Sequence, residues 1–368
     1  MAGAGIGVSQ RVAAATIAEW SKEVSEQTVQ RYILLSMLQK KGRIKYGCNG
    51  GESRWVFRYR DHTLRGFPDN VPLSFTKETT IKNANLPWRG YYVADSITHQ
   101  EKLEQGGDSA MIKIFEGRSE LMRRGAIRQL APEFFVDGNS AAAVANNSFH
   151  GIESMMGIAA QTSSDHLATT HDDSYAGQST AVNALGTGES SNVWTPVIVN
   201  TDYDPGDGTR SWANYADEHV RFGLIESTYS PSKEDNTDLI LLTKSAYNDY
   251  LNILDDKERL NIKRGESIAT AKMGFDKFVE QDGCVIGWDL AVPTTDSDSM
   301  TVRGYGFNTD RMKLKVLGPK KSKNLFDSRV TFNDDYQADR VVLRLLGNLC
   351  FESPRHFTKF ADISSVAS

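Results

Sequence analysis

Residues 86–138 read LPWRGYYVADSITHQEKLEQGGDSAMIKIFEGRSELMRRGAIRQLAPEFFVDG, and after a run of small residues 149–157 read FHGIESMMG. Aromatic and β-branched residues over 88–97 give the first part a strand character. Gly106-Gly107 breaks that pattern, and Asp108 or Ser109 can cap a helix. The spacing then predicts one long charged helix over 108–131, about 36 Å at 1.5 Å per residue. Ile112, Phe115, Met122, Ala126 and Leu130 form its apolar stripe; Glu116, Glu120, Arg124 and Arg128 form the opposite, exposed face. Pro132 has no amide hydrogen with which to continue the ladder and stops the helix. Asp137-Gly138 marks a turn before the next short apolar segment. Nothing here arranges a nucleophile, a base or a set of metal ligands. A stiff rod joined to a strand-rich arm points to structure rather than chemistry.

Toward the N-terminus, residues 12–40 have helical spacing through Ile17, Trp20, Val24, Tyr32, Leu35 and Leu38, as one helix or two. Lys40, Lys41, Arg43 and Lys45 form a basic run, and Asn49-Gly50-Gly51 is a turn signal. Residues 54–60 alternate, with Trp55, Phe57 and Tyr59 on one face and Arg54, Arg58 and Arg60 on the other. A polar strand candidate spans 73–81. Together these predict a thin β-arm, and a two-stranded ribbon is marginal in water unless it lies on something.

Toward the C-terminus, residues 161–208 are rich in Ser, Thr, Asp and Gly and read as loops with short strands, one of them at 193–199. Helices are expected at 212–225 and 245–254, and strands at 238–243, 285–292 and 312–316. The segment from Ala338 reads as strand interrupted at Gly347-Asn348, with a polar tail after Pro354. No internal repeat is present. Helix, strands, long helix, mixed elements and strands make an α+β chain with long excursions.

The chain has 368 residues, enough for two or three domains or a discontinuous one. A net charge of -5 excludes a globally basic nucleic-acid binder, although a local patch remains open. The basic residues of 40–60, interleaved with Tyr46, Trp55 and Tyr59, suit a phosphate backbone or, better, an acidic face of a second copy. Cys48, Cys284 and Cys350 are odd in number and without metal spacing, so buried reduced thiols are expected. No signal-peptide pattern and no spanning apolar window occur, which gives the expectation of folding in a reducing cytoplasm without a membrane.

Motifs for chemistry are weak. GAGIG at residues 3–7 has no strand before it, so it lacks the context of a phosphate loop. DYDPGDG at 202–208 clusters oxygen ligands, but its third Asp is displaced and Ala213 stands where a bidentate Glu is needed, so a turn is the simpler reading. His166, His171, Asp172 and Asp173 could ligate a metal if the fold converged them, and a metal-dependent hydrolase built on His166 and His171 is kept as an alternative. His150 reads as a turn or packing histidine. No cofactor is expected.

The ordered set of passages resembles the major capsid proteins of tailed bacteriophages, the Hong Kong 97-like fold. LLSMLQKKGRI at 34–44, Gly50-Gly51 and the Trp-Arg-Tyr strand resemble the family's N-terminal arm passing into its extended loop. Residues 88–107 resemble the returning strand, 108–131 the spine helix, and 134–138 with 150–157 its turn and short helix. YAGQST at 175–180 followed by Trp194, and GNLCFESPR at 347–355, resemble its later passages.

The resemblance implies an α+β capsid fold with an N-terminal arm (1–48), an extended β-hairpin loop (49–102), a peripheral domain (103–160 and 325–368) and an axial domain (161–324). It implies hexamers and pentamers of an icosahedral head enclosing double-stranded DNA, with a separate scaffold protein, a portal and a decoration protein as partners. The location would be the virion, after assembly in the host cytoplasm, and no enzymatic activity is implied. The arm would lie across an adjacent subunit through Trp55, Phe57, Arg58, Tyr59, Arg60, Trp88 and Tyr91, since interface hot spots favour Trp, Tyr and Arg. An encapsulin-like nanocompartment shell, or a phage tail or adhesion protein, would share parts of this pattern.

Overall fold

The computed structural model describes residues 33–60, 77–98, 128–159, 164–185, 193–206, 208–228, 235–256, 279–281, 283–318, 325–333 and 338–363, with residues 62, 64, 66, 100, 118, 121, 122, 125 and 126. The expected helical segment 12–32, the strand candidate at 73–76 and the helix start at 108–117, with Ile112, Phe115 and Glu116, lie outside the described residues.

In chain order the elements begin with helix α1 (Ile33–Lys40) and strands β1 (Ile44–Cys48), β2 (Glu52–Arg58), β3 (Ile81–Pro87) and β4 (Arg89–Thr98). Helix α2 (Ala141–Asn146) and the short strands β5 (Ser174–Tyr175) and β6 (Gln178–Ser179) follow. Next come β7 (Val197–Asn200), β8 (Asp202–Tyr203), β9 (Arg210–Ser211), α3 (Trp212–Ser227), β10 (Leu239–Leu242) and α4 (Lys244–Asp256). The chain closes with β11 (Val279–Gln281), β12 (Cys284–Trp288), β13 (Thr301–Phe307), β14 (Met312–Leu317), β15 (Asp327–Asn333), β16 (Ala338–Phe351) and β17 (Thr358–Asp362).

Two compact units form. The first comprises Met1–Gly51, Trp88–Gly151 and Lys313–Leu349. Its sheet runs β1-β14-β16-β15, with β4 also on β16. Helix α1 buries Leu34, Leu35 and Leu38 and ends in a Schellman motif. There Arg43 N–H reaches Leu38 O at 2.7 Å and Gly42 N–H reaches Gln39 O at 2.9 Å. Gly42 has φ +66°, the left-handed turn that glycine adopts without a Cβ clash.

Residues 118, 121, 122, 125, 126 and 128–130 are helical; Met122, Ala126 and Leu130 are buried, and Leu121 and Arg128 are exposed. That is the expected stripe over its described part. Pro132 ends the helix and opens a 3-10 turn over Pro132–Phe134. Helix α2, unassigned from sequence, forms where Ser140 Oγ accepts the Ala143 N–H at 3.3 Å.

Strand β16 is a correction. It runs unbroken through Gly347 and Asn348 as 14 residues, paired with β4 from Ala338↔Thr98 to Gly347↔Arg89. Gly347 lets Lys315 O of β14 come where a Cβ would stand. The Asn348 carboxamide accepts the backbone N–H groups of His150 (3.0 Å) and Leu349 (2.9 Å), so its polarity is absorbed inside the fold.

The second unit comprises Glu52–Pro87, Ile152–Met312 and Cys350–Ser368. Its sheet has the order β11-β12-β10-β13-β17-β7. Helices α3 and α4 pack with it through Trp212, Ala216, Val220, Ala246, Tyr250 and Phe360. The segment expected as a polar tail is instead β17, an inner strand with Thr358, Lys359, Phe360 and Ala361 buried. The lysine is accommodated because Glu153 and Asp296 meet its ammonium. The expected grouping of 325–368 therefore divides, with β15 and β16 in one sheet and β17 in the other. Cys284 and Cys350 are buried and Cys48 is half-buried, and none of the three is in a disulfide.

Candidate functional site

The β2–β3 hairpin carries most of the residues expected to touch another subunit. Its register is set by Glu52↔Pro87, Trp55↔Ala84 and Arg58↔Ile81, so β2 pairs with 81–87 rather than with the strand expected at 73–81. Alternation puts Ser53, Trp55, Phe57 and Tyr59 on one face, as read from sequence.

That face is occupied by the hairpin's own chain. The Phe57 ring stacks on Trp194 with centroids 3.9 Å apart, and Trp55 lies 6.3 Å from Tyr175. Trp194 Nε1–H donates to Tyr175 O at 3.2 Å, and Tyr175 OH accepts the Phe351 N–H at 3.0 Å. The tight YAGQ turn, with Ala176 at φ +51° and Gly177 at φ +78°, offers Ala176 O to the Asn85 N–H at 3.2 Å. Tyr59 OH donates to Thr79 O at 2.7 Å, and Lys82 Nζ stands 5.1 Å from the Tyr59 ring centre.

Phe57 and Tyr59 are thus buried within one chain and Trp55 is half-buried, where the sequence led to the expectation of rings held for an adjacent copy. The reason is the marginal stability of a bare ribbon: its apolar face packs on the nearest available surface. The opposite face presents Arg54, Val56, Arg58, Asn83 and Ile81, with Val56 64% and Ile81 56% exposed. Arg60 is exposed as well.

Trp88 and Tyr91 belong to the first unit and are half-buried. Trp88 Nε1–H donates to Gly50 O at 2.7 Å. Tyr91 OH donates to the Glu133 carboxylate and accepts the Phe149 N–H, and its ring meets Phe149 edge-on at 4.6 Å. Burial, reinforced by Glu133, drives the Tyr91 pKa far up, so the phenol stays neutral. A cleft beside it is lined by Tyr92, Ala126, Leu130, Glu133, Phe326 and Leu343.

The histidines separate. His166 is sandwiched between Tyr203 and Phe222, each centroid 4.0 Å away, and its Nε2 meets His219 Nδ1 at 2.9 Å. His219 Nε2 lies 3.0 Å from Arg210 O, a pure acceptor, so His219 donates there and accepts from His166. His171 points to Ala168 O at 3.2 Å, and Asp173 accepts the Gly157 N–H at 2.7 Å. Burial lowers His166, His171 and His219 to about 4, leaving all three neutral at pH 7. Among the described residues no group of three His, Cys, Asp or Glu side chains could hold a metal ion, so His166 and His171 do not build the alternative hydrolase centre. His150 packs against Asn348, with Nδ1 2.9 Å from Nδ2. In the 202–208 loop Asp204 Oδ1 accepts the Gly206 and Gly208 N–H groups at 2.8 and 3.3 Å, a turn between β8 and β9.

Sequence reasoning missed one constellation. Glu153, Asp296, Tyr305 and Lys359 meet in the buried interior of the second unit. The available signal was a lysine beside Phe357 and Phe360 in a segment read as tail.

No protein-family model matches the sequence, and no curated protein is significantly similar to it. Solved structures are. A chain titled "Cyanophage A-1(L) capsid asymmetric unit" superposes with a TM-score of 0.52 at 13% identity, covering 88% of this chain and 90% of that one. One from "Capsid of native GTA particle computed with C5 symmetry" gives a TM-score of 0.51 at 7% identity, over 88% and 89%. The corresponding empty-particle capsid gives 0.51 at 8%, over 87% and 88%. At such identities the likeness is one of fold. The chain has the α+β capsid fold, of the Hong Kong 97-like kind expected from the ordered passages.

Proposed function

We propose that this chain is the major shell subunit of a tailed-phage head, assembling with its own copies into pentamers and hexamers around double-stranded DNA. The observation that supports this best is a capsid likeness extending over nearly nine tenths of both chains, rather than over one shared motif.

In this reading the first unit, with the helical residues 118, 121, 122, 125, 126 and 128–130 and the long β16, is the peripheral domain, and the six-stranded sheet unit is the axial domain. The exposed hairpin face, Val56, Arg58, Arg60 and Ile81, meets the neighbouring subunit, while Trp55, Phe57 and Tyr59 hold the hairpin's shape. Rings of head-to-tail contacts close into five- and six-fold assemblies. A separate scaffold, a portal and a decoration protein are the expected partners, and the virion the expected location. Co-expression with adjacent genes, followed by sedimentation and nuclease treatment, tests the contents. Fast-sedimenting particles holding nuclease-protected DNA are expected; particles filled with another protein would identify a nanocompartment instead.

A further inference from the structure

Two carboxyl groups and one ammonium share a buried site in the second unit. Lys359 stands in β17 opposite Tyr305 of β13, and its side chain is fully buried. Its Nζ donates to Glu153 Oε2 at 2.9 Å and to Asp296 Oδ2. The other Asp296 oxygen, Oδ1, accepts the backbone N–H groups of Asp298 (3.0 Å) and Met300 (2.7 Å). Tyr305 OH donates to Glu153 Oε1, which leaves Oε2 aimed at the lysine. The Glu153 side chain is 3% exposed and that of Asp296 0%.

This arrangement does more than pair charges. An amine and a carboxyl group are held in contact, and held reactants react as if enormously concentrated. Two N–H groups converge on the carboxyl oxygen that faces away from the amine, where negative charge would collect during attack. Asp296, not Glu153, has this pair of donors, which selects it as the electrophile. A second carboxyl group touches the amine as a proton carrier. Burial raises Glu153 to about 7, well placed for giving and taking protons near neutrality. Burial pulls Lys359 down, but the two carboxylates outweigh it and hold the ammonium until a proton is moved. Condensation would remove two buried charges, whose desolvation is costly, and burial of the site disfavours hydrolysis back.

We propose that Lys359 and Asp296 join in an intrachain amide bond, formed by the folded protein itself with Glu153 relaying protons. One ammonium proton passes to Asp296 Oδ2, giving a free amine and a neutral acid. The Nζ lone pair attacks Cγ, and the negative charge gathers on Oδ1 under the N–H groups of Asp298 and Met300. The Glu153 carboxylate takes one proton from the nitrogen and delivers it to Oδ2. The Cγ–Oδ2 bond breaks, water leaves and the carbonyl re-forms. Of the three ammonium hydrogens, one stays on the amide and two depart in the water. Glu153 ends as it began, and no oxidant, nucleotide or second protein is consumed.

The inference does not depend on shell assembly. It is tested by the intact mass of the purified, denatured full chain, allowing for removal of the initiator Met. The expected mass is lighter than the sequence mass by one water, and tryptic digestion yields one branched species joining the peptides that contain Asp296 and Lys359. Lys359→Arg and Glu153→Gln should each restore the two separate peptides. The full sequence mass for the wild-type chain, or a water loss mapped to any other site, overturns the proposal, whether or not the variants fold.

Discussion

The Phe57 ring lies on the Trp194 ring with centroids 3.9 Å apart and planes 24° apart, so the hairpin's aromatic face is closed by its own chain. Phe57→Ala should therefore destabilise the monomer by about 3–5 kcal/mol, the usual cost of emptying a buried aromatic site. A double-mutant cycle with Trp194→Ala, followed by chemical denaturation, should show the two losses to be non-additive because the rings touch. An unchanged denaturation midpoint with failed assembly would return Phe57 to a contact between subunits.

The opposite hairpin face makes the complementary prediction. Val56→Asp with Ile81→Asp places charges at two exposed positions, 64% and 56% accessible, and should leave the fold and its melting temperature nearly unchanged. Assembly should fall sharply, because a charge with no partner is costly once covered. Thermal unfolding followed by circular dichroism reads the first outcome, and analytical ultracentrifugation the second. Normal particles from this variant would remove the face from the interface.

Acid should destabilise the fold. His150, His171 and His219 are buried with pKa values lowered to about 4 from 6.5, burial being the leading cause in each. Each takes up a proton on unfolding, so its contribution is complete above 6.5 and is lost as pH falls toward 4. The slope is at most about 1.4 kcal/mol per pH unit for each group. Glu153 works in the opposite sense: raised from 4.5 to about 7, its contribution is complete below 4.5 and lost as pH rises through 7. Three groups outweigh one between pH 4.5 and 6.5. Urea midpoints should be lower at about pH 5 than at about pH 6.5, and an equal or higher midpoint at the acid value would contradict these assignments.

Gly151→Ala should abolish soluble expression. An added Cβ would lie 2.6 Å from Val136 O and 2.7 Å from Phe134 O, both backbone atoms that cannot turn aside. A soluble variant with native circular dichroism would show that the turn at 134–136 shifts more freely than its packing suggests.

Periodicity carried much of this fold. The alternation of Trp55, Phe57 and Tyr59 gave the correct face of β2, and the stripe through Met122, Ala126 and Leu130 gave the correct face of the helix, because both depend on local geometry alone. What local pattern could not supply was the partner. The aromatic face of β2 reads as an interface in the sequence, and Trp194 and Tyr175, more than a hundred residues away, lie beneath it in the fold. Strand β17 looked polar because Lys359 is charged, and only Glu153 and Asp296 explain how it is buried. Gly347-Asn348 looked like a break because its compensation lies in Lys315 and His150. Long-range pairing decides each of these cases.

The most direct measurement is negative-stain electron microscopy of the purified wild-type chain, alone and co-expressed with its neighbouring genes. Closed shells, or rings of five and six subunits, are the expected result. A uniform small monomer in both preparations would contradict the shell-subunit function.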